Sequence, residues 1–336
     1  MFDLPLLLIL IVLVALIFDF TNGAHDCANA IATVVSTKVL SPRTAVIMAA
    51  SLNLMGALLG TEVAKTLGAG IVHADVVAGS HILVLAALLG AIAWNCITWY
   101  FGIPSSSSHA LIGGLVGAAV ADVGFSGLNV MSIVHKVLIP LVVSPLAGFG
   151  VGFLFMWLIY VICGHIRRQK VNRAFYHLQL VSAGLMATSH GLNDAQKTMG
   201  VITLALVIFG QIDTVEVPMW VKLACASAMA CGTAMGGWKI VKTMGHKIFK
   251  LEPVHGFAAE TSAAVVISGA SLMGAPISTT HTISACIFGV GSTKRLSAVR
   301  WGVAGHMVTA WVLTLPASAS VAWVCYLLLD ICFGKG

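Results

Sequence analysis

The chain alternates long apolar runs with short polar motifs. Pro5 to Phe18, Ala45 to Gly60, His81 to Ala93, Val137 to Cys163 and Ala304 to Leu329 are almost free of charge. A helix that crosses a bilayer needs about 20 predominantly apolar residues, so these runs predict membrane helices, some of them short of a full span. Backbone amides in hydrocarbon must pair within their own segment. Unbroken apolar runs lack the alternation of a β-barrel strand, so the predicted fold class is an all-α polytopic membrane protein. Ten to twelve membrane segments are expected.

Composition points the same way. The 336 residues are 59% hydrophobic and 9% charged, with a mean hydropathy of +0.99. Soluble domains carry about 25% charged residues, too many for this chain to pass as one. The eight cysteines have no paired or metal-ligand spacing and read as small core residues. The net charge of +6 comes from loop Lys and Arg, which bears on orientation rather than on nucleic acid. The first apolar run lacks a basic leader, carries Asp3 and runs into a polar motif, so it is expected to be a mature helix and not a cleaved signal. No stretch is long and polar enough for an ATP-binding domain.

Three landmarks repeat in order. Gly23-Ala24-His25-Asp26-Cys27-Ala28-Asn29 answers to Gly191-Leu192-Asn193-Asp194-Ala195-Gln196-Lys197, with the aspartates 168 positions apart. Pro42, Gly56 and Gly60 match Pro218, Gly232 and Gly236 at an offset of 176. Gly102-Ile103-Pro104-Ser105-Ser106-Ser107-Ser108-His109 matches Gly274-Ala275-Pro276-Ile277-Ser278-Thr279-Thr280-His281 at an offset of 172. The halves are therefore expected to be copies: a first repeat over residues 1–163, a basic linker over 164–173, and a second repeat over 174–336.

Loop charge gives the expected orientation. Lys and Arg accumulate in cytoplasmic loops. The second half carries Lys239, Lys242, Lys247, Lys250, Lys294, Arg295 and Arg300, where the matching first-half segments hold only Lys65. Lys38 and Arg43 follow the first Asp motif, whereas the segment after the second holds Asp213 and Glu216. The bias reverses between halves, as an inverted repeat requires, and Arg167, Arg168, Lys170 and Arg173 mark the linker as cytoplasmic. Inverted repeats with discontinuous helices are the architecture of secondary transporters, with the site at the repeat interface.

The polar motifs carry the candidate chemistry. An ionisable residue at membrane depth is a functional-site candidate by default, and Asp26 and Asp194 lie between apolar runs. Gly and Asn around them predict a break in each helix, freeing carbonyls for a cation. The Pro-Ser/Thr motifs predict helix starts, where unpaired N–H groups, hydroxyls and the dipole favour an anion. The segments that follow, to about Val120 and Val290, are short for full spans and predict two re-entrant helical hairpins. Two such starts facing one another would cage a tetrahedral oxyanion. Ordinary N-capping is the plainer reading of the same residues. Ser108-His109 lacks an elbow motif, so nucleophilic catalysis is not expected.

On these motifs, over nearly the whole chain, the sequence resembles the inorganic phosphate transporter (PiT) family, of the bacterial low-affinity phosphate permease type. The resemblance implies a secondary active symporter of inorganic phosphate, not an enzyme, in the inner membrane of a bacterium. It implies that Ser106, Ser107, Ser108, Ser278, Thr279 and Thr280 hold phosphate. It places coupling ions at Asp26, Asn29, Asn193 and Asp194, with Glu260 as a buried acid before the second hairpin. Two departures matter: His25 replaces an Asn of the sodium-coupled pattern, and Lys197 replaces the counterpart of Asn29. Both resemble proton-coupled permeases, which carry phosphate partly as a neutral complex with a divalent metal. Proton coupling is therefore expected over sodium coupling at Asp26, Asn29, Asn193 and Asp194, with no cofactor and no nucleic acid. Sulfate transport and a homodimer are compatible with the same residues. His190, His109 and His281 are further candidates for a proton path, ranked below His25.

Overall fold

The computed structural model describes residues 4–68, 80–214 and 216–333. Asp3 lies outside them. Every regular element among the described residues is helical. The first half runs α1 (Leu4–Ser36), α2 (Pro42–Leu58), α3 (Glu62–Gly68), α4 (His81–Phe101), α5 (Ser107–Val123), and α6 (Val130–Ile133) joined by a π turn to α7 (Ile139–Cys163). The second runs α8 (Arg168–Ile208), α9 (Met219–Met235), α10 (Trp238–Lys242), α11 (Pro253–Leu272), α12 (Thr279–Lys294) and α13 (Trp301–Phe333). Residues 168–173 of the basic stretch form the first turns of α8.

The order of elements recurs, and so do the joints. Gly102 ends α4 and Gly274 follows α11, each with φ of +68°. Each opens a tight turn around proline, in which Ser105 N donates to Ile103 O at 2.9 Å and Ile277 N to Ala275 O at 3.0 Å. That left-handed backbone favours glycine, and it turns α4 back into α5 and α11 back into α12. At 17 and 16 residues, α5 and α12 are roughly 25 Å long. That is less than the hydrocarbon thickness of about 30 Å.

Partners are exchanged between halves. α2 packs on α8 and α9 on α1, while α12 packs on α7 and α5 on α13. The Gly-rich faces make these approaches close. A Cβ on Gly113 would meet Ser318 Oγ at 2.1 Å and one on Gly117 would meet Ala319 O at 2.0 Å. Gly148 and Gly152 face α12 in the same way, whereas Gly150 faces open space.

The expected helix breaks at the Asp motifs are not there. α1 runs unbroken through Asp26 and α8 through Asp194. The motif glycines serve packing instead. A Cβ on Gly23 would lie 2.3 Å from Met229 O, and one on Gly191 would lie 2.1 Å from Asn53 O. The reciprocal contacts are Gly232 on Phe20 O at 2.0 Å and Gly56 on Thr188 O at 2.1 Å. The interruptions fall between α2 and α3, between α9 and α10 at Gly236–Gly237, and in the hairpin turns.

Among the described residues, four helical stretches are both long and apolar enough to cross a membrane: Pro5–Ser36, Ile82–Phe101, Val130–Cys163 and Trp301–Cys332. Leu146, Leu154 and Trp157 on α7 and Val312, Leu313 and Leu328 on α13 are exposed, as lipid-facing positions should be. The polar middle of α8 is buried against other helices and so needs no apolar run. All eight cysteines are free thiols.

Two apolar cores form, one around each end of the α1/α8 pair. The first gathers Ile11, Ala15 and Phe18 of α1 with Met199 and Ile202 of α8; the second gathers Ala28 and Ile31 with Ala183 and Met186. The polar motifs lie between them.

Candidate functional site

The centre is built by the middles of α1 and α8 and the first turns of α5 and α12. Ser106 and Ser278 are the N-caps of those two helices, their hydroxyls accepting from His109 N and His281 N at 3.2 Å each. The plainer N-cap reading thus holds for the first hydroxyl of each motif. Capping uses a lone pair and leaves the hydroxyl hydrogen available. The rings of His109 and His281 lie 5.0 Å apart, so the two helix starts meet. His281 stacks on Trp311 at 4.2 Å, and Trp311 Nε1 donates to Pro104 O at 3.1 Å.

Both aspartates reach this meeting point. Their carboxylates and a His190 nitrogen lie within 4.8 Å of one another. Asp26 Oδ1 is 2.6 Å from His25 Nδ1 and accepts from Thr280 Oγ1 at 3.3 Å. Asp194 pairs with Lys197, accepts from Thr279 Oγ1 at 2.9 Å, and has His190 Nε2 at 3.1 Å. Asn29 donates to Thr279 and Thr280 hydroxyls at 3.1 and 3.0 Å. Lys197 donates to Ser108 Oγ and, at 3.0 Å, to Ile277 O. Ser107 is buried with its hydroxyl unpartnered.

Thr279, Thr280, Ser107, Ser108, Asn29 and Lys197 all present N–H or O–H groups to one buried volume. To these the first backbone N–H groups of α5 and α12 add donors without intrahelical acceptors. Such an array suits an oxyanion once the carboxylates are neutralised.

Two expected site residues lie off this centre. Asn193 donates to Ser271 Oγ at 2.8 Å and faces α11, because it precedes Asp194 by one position and so points about a quarter-turn away. Glu260 accepts from Thr33 at 2.5 Å, from Gln179 at 3.0 Å and from Ser182, joining α11 to the other ends of α1 and α8. The sequence reading missed Thr98 and Ser105, which hold His25 Nε2 at 3.1 and 3.2 Å, and Asn53, which holds His190 Nδ1 at 3.2 Å. Ser105 stands inside a motif already singled out, but nothing in the sequence marks Thr98 or Asn53.

A family model described as the phosphate transporter family matches residues 22–322. The chain belongs to the phosphate transporter family. It is 48% identical over 329 residues to a probable low-affinity inorganic phosphate transporter of Bacillus subtilis, covering 98% of each chain. A Rhizobium meliloti protein of the same description is 49% identical, covering 97% of each. A solved structure titled the sodium-dependent phosphate transporter superposes with a TM-score of 0.86 at 26% identity, covering 97% of this chain and 99% of that one. Members of this family are transporters and not enzymes, and the apolar helices make this one a multi-pass membrane protein.

Proposed function

We propose that this chain takes up inorganic phosphate by proton symport, binding it where the first turns of α5 and α12 meet. One observation carries the reading: hydroxyl, amide and ammonium donors from four helices converge on one buried volume beside Asp26 and Asp194. Ser106, Ser107, Ser108, Ser278, Thr279 and Thr280 with Lys197 and Asn29 supply the donors, and Asp26 with His25 carries the proton. Neutralising the carboxylates releases the Thr279 and Thr280 hydroxyls from them and turns those hydroxyls to the oxyanion.

Sodium fits the residues less well. An Asp-Asn set of oxygens could hold it, but the Lys197 ammonium already lies against Asp194, and Asn193 faces away. The 26% identity to the sodium-dependent structure supports the alternative. The recurring element order and reversed loop charge support two inverted repeats, residues 1–163 and 174–336, with a cytoplasmic linker between them. Bacterial relatives support an inner-membrane location. The same cage would admit phosphate as a neutral complex with a divalent metal, the metal then being part of the cargo.

Uptake of labelled phosphate into sodium-free proteoliposomes tests the reading. An inward proton gradient should drive accumulation, excess sulfate should not compete, and His25→Gln should flatten the pH dependence. Accumulation that ignores the proton gradient and follows added sodium overturns proton coupling.

A further inference from the structure

Among the described residues four carboxylates are buried in the interior, and three of them are provided for. Asp26 has His25 and Thr280; Asp194 has Lys197 and Thr279; Glu260 has Thr33, Gln179 and Ser182. The fourth, Asp19 on α1, is 0% exposed, and no donor reaches either oxygen in hydrogen-bonding geometry. A buried charge left unpaired costs several kcal/mol and in practice acquires a partner or a proton.

The surroundings of Asp19 are neutral polar groups, with no positively charged side chain among them. Asn22 Oδ1 on the same helix and Thr198 Oγ1 on α8 are also buried and unpartnered. Asn22 and Thr198 lie against Asp19, with the Cys225 thiol of α9 alongside. Four oxygens on two helices, all without partners, thus gather in the apolar core formed by Phe18, Met199 and Ala226. The charged group facing the cluster is the Asp194 carboxylate, which is negative and cannot compensate Asp19. Asp19 precedes Asp26 by seven positions, about 10 Å along α1. The cluster is therefore separate from the central site, yet close enough for the two charges to interact.

From this we infer that Asp19, Asn22 and Thr198 form a second ion-binding position that takes one monovalent positive charge, a proton or a sodium ion. Carboxylate, amide and hydroxyl oxygens are the ligands of a hard cation, and a carboxylate among neutral polar groups equally accepts a proton, which a neighbouring oxygen then receives as a hydrogen bond. The inference rests on the transporter reading only for its consequence, which is one charge more per phosphate than the central site alone would carry.

Two measurements test it. In proteoliposomes, phosphate-evoked charge divided by phosphate taken up should fall by one elementary charge in Asp19→Asn, which keeps the shape and cannot titrate. In detergent, infrared difference spectra of the folded wild type should show a protonated-carboxyl band that Asp19→Asn lacks. If the ion is a proton the band follows pH and ignores sodium; if it is sodium the band disappears when sodium replaces potassium. Thr198→Val, which removes a ligand without altering charge, should shift the midpoint of either response and serves if Asp19→Asn does not fold. An unchanged charge ratio, or a band present at every pH and sodium concentration, overturns the inference by making Asp19 a permanently neutral structural acid. A chain that transports no phosphate but shows the responsive band would sink the transport reading and leave this site standing.

Discussion

Asn29 and Lys197 occupy matching positions, three residues after Asp26 and Asp194, but Asn29 reaches one hairpin and Lys197 reaches both. Asn29 donates to Thr279 and Thr280 of the second hairpin. Lys197 donates to Ser108 of the first and ties it to Asp194. The residue that departs from the repeat therefore brings a fixed positive charge to the centre, where its counterpart brings a neutral amide.

Removing that charge alone should be severe. Breaking a buried ion pair typically costs about 3–5 kcal/mol, because the remaining charge is left uncompensated. Lys197→Met is expected to lower the melting temperature in detergent strongly, and Lys197→Met with Asp194→Asn to recover most of the loss. Equal destabilisation of the single and double variants would show that the pair is not the source.

The threonine hydroxyls are expected to serve the oxyanion as well as the carboxylates. A hydrogen bond to a charged group contributes about 1.5–3 kcal/mol, roughly a ten- to hundredfold change in an equilibrium constant. Thr279→Val and Thr280→Val should each raise the phosphate concentration for half-maximal uptake by that order, while Thr→Ser at either position is nearly neutral. Valine variants with wild-type uptake curves would remove these hydroxyls from the site.

Glycine should be replaceable where space is open and not where backbones touch. Gly191→Ala drives a methyl to 2.1 Å from Asn53 O and should cost about 1–3 kcal/mol or more, because backbone cannot move aside as a side chain can. Gly150→Ala meets nothing within 4 Å and should gain up to about 1 kcal/mol from helix propensity. Thermal melts of the two purified variants give the comparison.

A pH effect is expected at the polar end of α11. Partial burial pushes the Glu252 carboxyl up, but hydrogen bonds from Arg168 and Asn172 outweigh it and hold the group below the usual carboxylate range. A depressed carboxylate stabilises above its unfolded pKa, and that contribution is lost as pH falls through the folded value. Arg168→Ala should thus reduce stability modestly near neutral pH, by up to about 1 kcal/mol for an exposed pair. The difference from wild type should close in acid. A gap that persists below pH 3 would assign the effect to packing.

Much of the centre could be read from the chain, because charge is costly in an apolar setting and so announces itself. Asp26, Asp194, Lys197 and the two Pro-Ser/Thr motifs were legible for that reason, and the fold class followed from the apolar runs. The close crossings at Gly23 and Gly191, where breaks were expected, were not, since glycine permits both a break and a close crossing, and local sequence does not say which. Pairings such as His25 with Thr98 or His190 with Asn53 join residues far apart in the chain and depend on how the helices cross. Asn193 shows the same limit: one position of helical phase turned it toward Ser271.

The exchange of partners between halves has a further consequence. With α2 lying on α8 and α9 on α1, neither half closes its own interior. A polypeptide of half this length would leave one face of its aspartate helix bare and would need a second copy to cover it. The two halves expressed as separate chains should accordingly be insoluble or degraded alone, and recoverable as a complex when made together.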